Sequence, residues 1–201
     1  MPYFYSTAIK THNTGVPMMR PTFVEYPQDP IAWTLDTQYL LGPSLLVAPV
    51  FNAEGIVQYY IPEGSWYGIV DGKIRKGPGY IVETHDFFSI PLLLRPGHAV
   101  LLGNTPLVTT TSGKSRKSAA YDYTSEITVL MNTISTPDMD VLLDIPDVTQ
   151  PGQIAAVLRV KADSVSVESG ALKGTFKVKK VVADGSVQES TSVLGGTSIA
   201  C

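Results

Sequence analysis

From Leu45 onward the chain is a series of short apolar runs separated by glycine and proline, and this punctuation constrains the fold most. Leu45–Val50 is a continuous apolar run, which is typical of a strand buried on both faces. The chain has 17 Gly and 15 Pro, and many of them mark turns between these runs. The pattern predicts an antiparallel β-sandwich. The further strands predicted here are Val57–Ile61, Trp66–Val70, Tyr80–Val82, Ile90–Leu94 and Ala99–Leu102.

A second series of strands follows a polar stretch. Residues 105–120 are rich in Thr, Ser and Lys, and they predict a linker or a long surface loop. Beyond them, apolar and polar residues alternate in Val165–Val167 and Phe176–Lys179, which predicts strands with one wet face. The tail from Ser186 is rich in Ser, Gly and Thr, and we expect it to fray. The predicted strands of this series are Ile127–Met131, Val141–Ile145, Ile154–Val160, Ser164–Glu168 and Thr175–Val182.

The first 42 residues have a different texture from the rest. Pro2 suits the first turn of a helix, Tyr5 and Ile9 share one helical face, and Gly15 is placed to end the helix, so residues 2–14 are predicted to be helical. Two further prolines impose an extended path after it. Residues 31–41 are predicted to contain a short helix around Asp36–Leu41.

Composition excludes several classes of protein. Apolar residues make up 44% and charged residues 16%, as in a core-forming globular chain, and the net charge of −3 gives no general attraction to nucleic acid or to an anionic membrane. Cys201 is the single cysteine, so neither an internal disulfide nor a cysteine zinc cluster is expected. No run approaches the ~20 apolar residues of a membrane helix. Met1–Tyr5 does not have the pattern of a signal peptide, and this slightly favours a cytoplasmic location.

The carboxylates offer poor candidates for hydrolytic chemistry. Acid–base hydrolysis needs two of them close together, one to donate a proton and one to attack or to activate water. Glu25 and Asp29 are four residues apart, but prolines at 27 and 30 break any helix that would align them. Asp36, Asp71 and Asp86 each stand alone. We interpret all five as turn formers, caps or solvated charges.

Histidines and aromatic residues leave alternatives open. The three histidines lack the spacing of metal ligands; His12 lies near the end of a helix, and His85 with Asp86 suits either a loop mouth near a sugar site or an exposed turn. Trp66, Tyr59 and Tyr60 lie within strand patterns and suit the core better than a sugar platform. Trp33 follows a proline turn and Tyr80 lies in a strand, and both stay candidates for stacking on sugar rings. No metal, nucleotide or other cofactor site is predicted.

Six short motifs, in order along residues 1–104, carry a resemblance to a known family. They are Met1–Tyr5, Gly15–Pro21, Tyr26–Pro30, Asp36–Gly42 with Leu45–Val50, Val57–Trp66, and Ile90–Gly97. Together they resemble the end of the barrel and the following domain in glycoside hydrolase family 31, the α-glucosidases and α-xylosidases. Glu83–Phe87 is more similar to the α-xylosidase branch. His98 departs from the family pattern, which usually has a small or polar residue there.

The resemblance implies a fold and a reaction. The family fold is a (β/α)8 barrel followed by a proximal and a distal β-sandwich, and the complete enzyme is a retaining exo-α-glycosidase without a cofactor. Its catalytic aspartates precede the region matched here, and no residue of this chain matches them. The implied domains are a barrel remnant (1–42), a proximal sandwich (43–108), a linker (109–120) and a distal β domain with a frayed tail (121–201).

Two hypotheses follow for the function. In the first, the chain is a C-terminal fragment, inactive alone, whose partner is the missing barrel domain; an oligosaccharide substrate binds only to the complete enzyme. In the second, the chain is a stand-alone carbohydrate-binding or protein-interaction module. A remnant should expose the apolar face of its first helix, whereas a module should cover Tyr5, Ile9 and Met18.

Overall fold

The computed structural model describes residues 1–103, 122–191 and 198–200. Its helices are α1 (Pro2–Thr14), α2 (Thr22–Glu25) and a 3-10 helix at Pro30–Thr34. Neither described α-helix is long and apolar enough to cross a membrane. The strands are β1 (Met19–Arg20), β2 (Tyr39–Leu41), β3 (Leu45–Val47), β4 (Ile56–Gly68), β5 (Ile74–Thr84), β6 (Leu92–Leu94), β7 (His98–Gly103), β8 (Ile127–Asn132), β9 (Asp140–Pro146), β10 (Ile154–Lys161), β11 (Ser164–Gly170), β12 (Phe176–Val181), β13 (Val187–Thr191) and β14 (Ser198–Ala200).

The predicted first helix is confirmed. Pro2 lies in its first turn, and Gly15 follows its end with φ 76°, the left-handed conformation that glycine adopts without steric cost. Tyr3 fixes the helix to the neighbouring sheet, since its hydroxyl donates to the carbonyl of Leu41 at 2.7 Å and accepts from the amide of Ser44 at 3.2 Å. At the other end of the helix, Lys10 pairs with Asp144 of β9 at 3.0 Å.

The first sheet has six strands in the order β1-β2-β3-β6-β4-β5, and every neighbouring pair is antiparallel. The long strand β4 contains a bulge between Ile61 and Gly64, where Gly64 has φ 116°. Bulges bend strands, and this one lets the hairpin of β4 and β5 fold over the sheet. The first half of β4 then covers a core on that side of the sheet. The residues of this core are Leu40, Leu46, Ala48, Val57, Tyr59, Ile61, Trp66 and Leu93.

Two local predictions for this region are wrong. Residues 31–41 do not form a helix around Asp36; the 3-10 helix ends at Thr34 and strand β2 begins at Tyr39. The turn implied between the predicted strands Val57–Ile61 and Trp66–Val70 does not form, because the continuous strand β4 runs from the first segment into the second. In both cases pairing with neighbouring strands overrides the local sequence signal.

Two four-stranded sheets make up the rest of the fold, in the orders β13-β12-β8-β7 and β14-β11-β10-β9. Their facing sides form a sandwich core whose largest members include Leu101, Met131, Ile145, Leu158 and Phe176. The expected mainly β fold with several antiparallel sheets is confirmed; one neighbouring pair, β8 and β12, is parallel. The tail expected to fray from about residue 186 instead contributes β13 and β14, which pair with β12 and β11.

Strand β8 is central to the architecture because all six of its residues are buried. Ile127, Val129 and Met131 belong to the sandwich core, while Leu130 packs against the first sheet. The β13-β12-β8-β7 sheet is therefore covered on both faces. Strand β7, which falls within the predicted proximal sandwich, pairs with β8 in this sheet. The predicted linker lies outside the described residues, and the predicted domain boundaries stay predictions.

Candidate functional site

Glu25 lies at the centre of an ion-pair network beneath the α2 turn. One carboxylate oxygen pairs with the buried Arg20 guanidinium, and the other accepts from Nη1 of Arg95 at 2.9 Å. Arg95 also lies over the ring of Tyr26, 4.5 Å from its centroid, and donates to the carbonyl of Pro43. Burial raises the pKa of Tyr26 to about 12. With both oxygens paired to arginine, Glu25 holds the polypeptide after α1 against the β6–β7 turn.

Asp71 and Glu83 share one arginine. Arg75 donates from Nη2 to Asp71 at 2.7 Å and from Nε to Glu83 at 2.9 Å, and the hydroxyl of Tyr59 donates to Glu83 at 2.8 Å. The hydrogen bond from Arg75 lowers the pKa of Asp71. Burial opposes ionisation of Glu83, but the bonds from Arg75 and Tyr59 outweigh it, so the pKa of Glu83 is also lowered. A general acid for glycoside cleavage needs a raised pKa, and this pair is shifted the opposite way.

The other carboxylates considered from the sequence have local roles or are solvated. Asp29 caps the 3-10 helix by accepting from the amide of Ile31 at 3.0 Å, and its second oxygen accepts from the hydroxyl of Tyr60 at 2.7 Å. Asp86 accepts from the amide of Phe88 at 3.0 Å within its own turn. Asp36 is exposed in the segment before β2. These carboxylates belong to separate parts of the fold, and their bonds are with nearby protein groups.

The histidines are also placed apart. His12 is exposed in the last turn of α1. His85 does not pair with Asp86 directly; its Nδ1 lies 3.2 Å from the hydroxyl of Ser89, and its Nε2 lies 3.4 Å from Glu83. His98 bonds through Nδ1 to the carbonyl of Pro96 at 3.1 Å, and burial lowers its pKa. Within the described ranges, no group of three or more His, Cys, Asp and Glu side chains is arranged to hold a metal ion.

The aromatic candidates divide as their sequence context suggests. Trp66, Tyr59 and Tyr60 are at most 2% exposed and belong to the interior, whereas Trp33 and Tyr80 are 66% and 55% exposed. Trp33 donates its indole N–H to the carbonyl of Pro27 at 3.0 Å. Tyr80 lies against Tyr60 with ring centroids 5.3 Å apart and an interplanar angle of 59°, so these two rings do not form a flat platform.

The sequence did not predict one aromatic feature, an exposed pair of phenylalanines. Phe87 and Phe88 stand at the tip of the loop between β5 and β6 and are 105% and 94% exposed. They line a cleft of about 610 Å³ between residues 49–55 and 85–90, which we call the phenylalanine cleft. The sequence signal was the Asp86–Ser89 turn, whose side-chain bonds turn both rings out to solvent, but a loop pattern alone does not specify exposure.

The fold is that of the β region found in large α-glycan-processing enzymes. The cycloalternan-forming enzyme of Listeria monocytogenes, solved with a pentasaccharide substrate, aligns with 90% of this chain at a TM-score of 0.70 and 25% identity. The aligned region is 17% of that enzyme.

Sequence comparison narrows the class to one family. Residues 15–100 match the family model described as the glycosyl hydrolase family 31 C-terminal domain, and this region belongs to that family. This chain is 46% identical over 104 residues to an α-xylosidase of Emericella nidulans, and the aligned region is 48% of this chain and 13% of that protein. It is 33% identical over 165 residues to an α-xylosidase of Lactiplantibacillus pentosus, covering 80% of this chain and 20% of that protein. The chain thus spans a fifth or less of the length of these two relatives.

Proposed function

We propose that this chain is the non-catalytic C-terminal portion of a retaining exo-α-glycosidase that hydrolyses terminal α-xylosides. The observation that carries the proposal is the 46% identity to an α-xylosidase over 104 residues, in a region that contains the family's C-terminal domain. The α-xylosidase of Lactiplantibacillus pentosus extends the similarity over most of the chain.

The arrangement of carboxylates favours a structural role for this chain over a catalytic one. Cleavage with retention needs a nucleophile and a general acid ~5–5.5 Å apart, with the pKa of the acid raised. The two carboxylates described above that share a partner, Asp71 and Glu83, are held by Arg75 with both pKa values lowered. We therefore assign the catalytic carboxylates to a barrel domain that packs on this region.

Exposed apolar residues in the first 33 positions supply a face for that domain. Met19, Phe23 and Trp33 are 59%, 45% and 66% exposed. The Glu25 network fixes the polypeptide between Met19 and Trp33, so the face is rigid before contact. These side chains are already about half covered, so burying the remainder against a partner contributes about 1 kcal/mol each.

A hydrolysis assay tests this proposal. The purified chain is incubated with p-nitrophenyl α-xyloside and p-nitrophenyl α-glucoside, with a full-length family α-xylosidase as the positive control. We expect no release of p-nitrophenol above the blank, because the acid and the nucleophile lie elsewhere. Turnover that disappears in Asp36→Asn or Asp86→Asn would contradict the proposal.

One observation favours the alternative of a stand-alone carbohydrate-binding or protein-interaction module. The inward face of α1 is covered by this chain's own strands: Ile9 is buried, Tyr5 packs on the sandwich core, and Met18 packs against the first sheet. A bare remnant of a barrel would expose that face. Size-exclusion chromatography separates the two alternatives, because a module should be monomeric at high concentration, whereas a portion that lacks its partner should self-associate through Met19, Phe23 and Trp33.

A further inference from the structure

We propose that the phenylalanine cleft binds a neutral oligosaccharide, with Phe87 and Phe88 as the stacking surface and Glu54 and Asp86 as acceptors for sugar hydroxyls. This inference rests on the proposed function only for the class of ligand, which is a saccharide. The site itself follows from the shape, rigidity and chemistry of the two loops.

The two walls of the cleft are held in fixed register. The amide of His85 donates to the carbonyl of Gly55 at 2.8 Å, and the amide of Ala48 donates to the carbonyl of Pro91 at 3.2 Å. Gly55 has φ 74°, and a Cβ there would lie 2.1 Å from the carbonyl oxygen of His85, so only glycine permits this approach. The cleft is therefore formed before any ligand arrives.

The turn that carries the two rings is also rigid. Asp86 accepts from the amide of Phe88 at 3.0 Å and from the hydroxyl of Ser89 at 2.8 Å, while Ser89 in turn contacts His85 at 3.2 Å. These bonds determine the backbone path. They hold the two rings in water, although burial would be more favourable for an apolar side chain. A binding surface that is ordered in advance loses less entropy when a ligand binds.

The polar groups of the cleft select a ligand rich in hydroxyls. The hydrogen bonds to Asp86 within the turn go to Oδ1, which leaves Oδ2 for an external donor. Glu54 also lines the cleft, and its carboxylate has no hydrogen-bond or ion-pair partner among the residues that the structure describes. Ionised carboxylates accept strongly from hydroxyl groups and repel anions. A sugar ring offers both the apolar C–H face that stacks on an aromatic ring and the hydroxyl donors that these oxygens require.

An NMR titration of the whole chain tests the proposal with isoprimeverose, a disaccharide of xylose α-linked to glucose, and with isomaltotriose. We expect amide shifts confined to residues 52–55 and 85–90, with a Kd of about 1 mM, typical of a shallow site. The Phe87→Ala/Phe88→Ala variant should weaken binding at least about tenfold, and Glu54→Gln about threefold. Phe51→Ala is the matched control, because Phe51 is 75% exposed on the adjacent loop but does not line the cleft, and its binding should be unchanged.

Each other outcome overturns the proposal. Absence of shifts at about 50 mM saccharide excludes a useful site. Shifts that persist in Phe87→Ala/Phe88→Ala place the sugar elsewhere. If the chain binds no sugar but dimerises, and the double variant abolishes dimerisation, the two rings form a protein contact instead. This readout is binding and not turnover, so a negative result leaves the proposed function to its own hydrolysis assay.

Discussion

Asn132 joins the two halves of the fold, and its loss is expected to destabilise the whole chain. Its side chain is fully buried at the end of β8. Nδ2 donates to the carbonyls of Ser65 at 2.8 Å and Leu94 at 3.1 Å, both in the first sheet, and Oδ1 accepts from the amide of Ile134 at 3.2 Å. In Asn132→Ala these three buried groups lose a partner at once. At about 1 kcal/mol for each lost hydrogen bond, the free energy of unfolding should fall by about 3 kcal/mol.

Urea unfolding measures this change. The shift in tryptophan emission reports the first sheet, because Trp66 is buried there whereas Trp33 is already exposed, and far-UV circular dichroism reports all sheets. Asn52→Ala is the control, because Asn52 also makes two side-chain bonds, both to the backbone of Ile56, but is exposed to water. Water replaces those partners, so the control should lose less than about 1 kcal/mol. Equal losses in the two variants, or a loss below about 1 kcal/mol in Asn132→Ala, would refute the reasoning.

Two further predictions concern the cleft glycine and a histidine. Gly55→Ala should cost more than about 2 kcal/mol in urea unfolding, because its Cβ meets the carbonyl of His85, whereas Gly15→Ala, with φ 76° and open space around it, should cost about 1 kcal/mol; similar losses would contradict the steric argument. Burial, with help from the nearby charge of Arg95, lowers the pKa of His98 below 6.5, so the unfolded chain binds the proton more readily. This contribution to stability is complete above the unfolded-state pKa of about 6.5 and is lost as the pH falls below it, through the lower pKa of the folded state. Thermal melts at a series of pH values should show the loss in the wild type and a flatter profile in His98→Gln.

Local sequence signals were sufficient where a segment's structure depends on its own residues. The first helix followed from Pro2, the spacing of Tyr5 and Ile9, and Gly15, and the structure has it at Pro2–Thr14. The predicted strand Ile127–Met131 and β8 differ by one residue. In these segments the apolar period and the terminating residues agree with the tertiary packing, so neighbours do not override them.

The same signals failed where distant partners decide the outcome. Gly64 marked a turn in the sequence, but at φ 116° it forms a bulge that lets β4 continue. The parallel pairing of β8 with β12 joins residues about fifty positions apart, and no local pattern encodes it. Likewise, Arg75 and Glu83 are eight residues apart on the single strand β5, and a straight strand would hold them about 26 Å apart. Their contact at 2.9 Å requires a bend of the strand, which turned an isolated Asp71 into part of a network.

The sheet around β8 sets limits on how this polypeptide can be dissected. Val100 of β7 and Leu130 of β8 fill the same space beside the first sheet, although the predicted linker separates them in sequence. Cutting the gene near codon 109 would place one of these side chains in each product. Each product would then expose part of a hydrophobic core that the other one covers. Expression trials that aim for an autonomous fragment should therefore keep the strands on either side of that linker in one polypeptide.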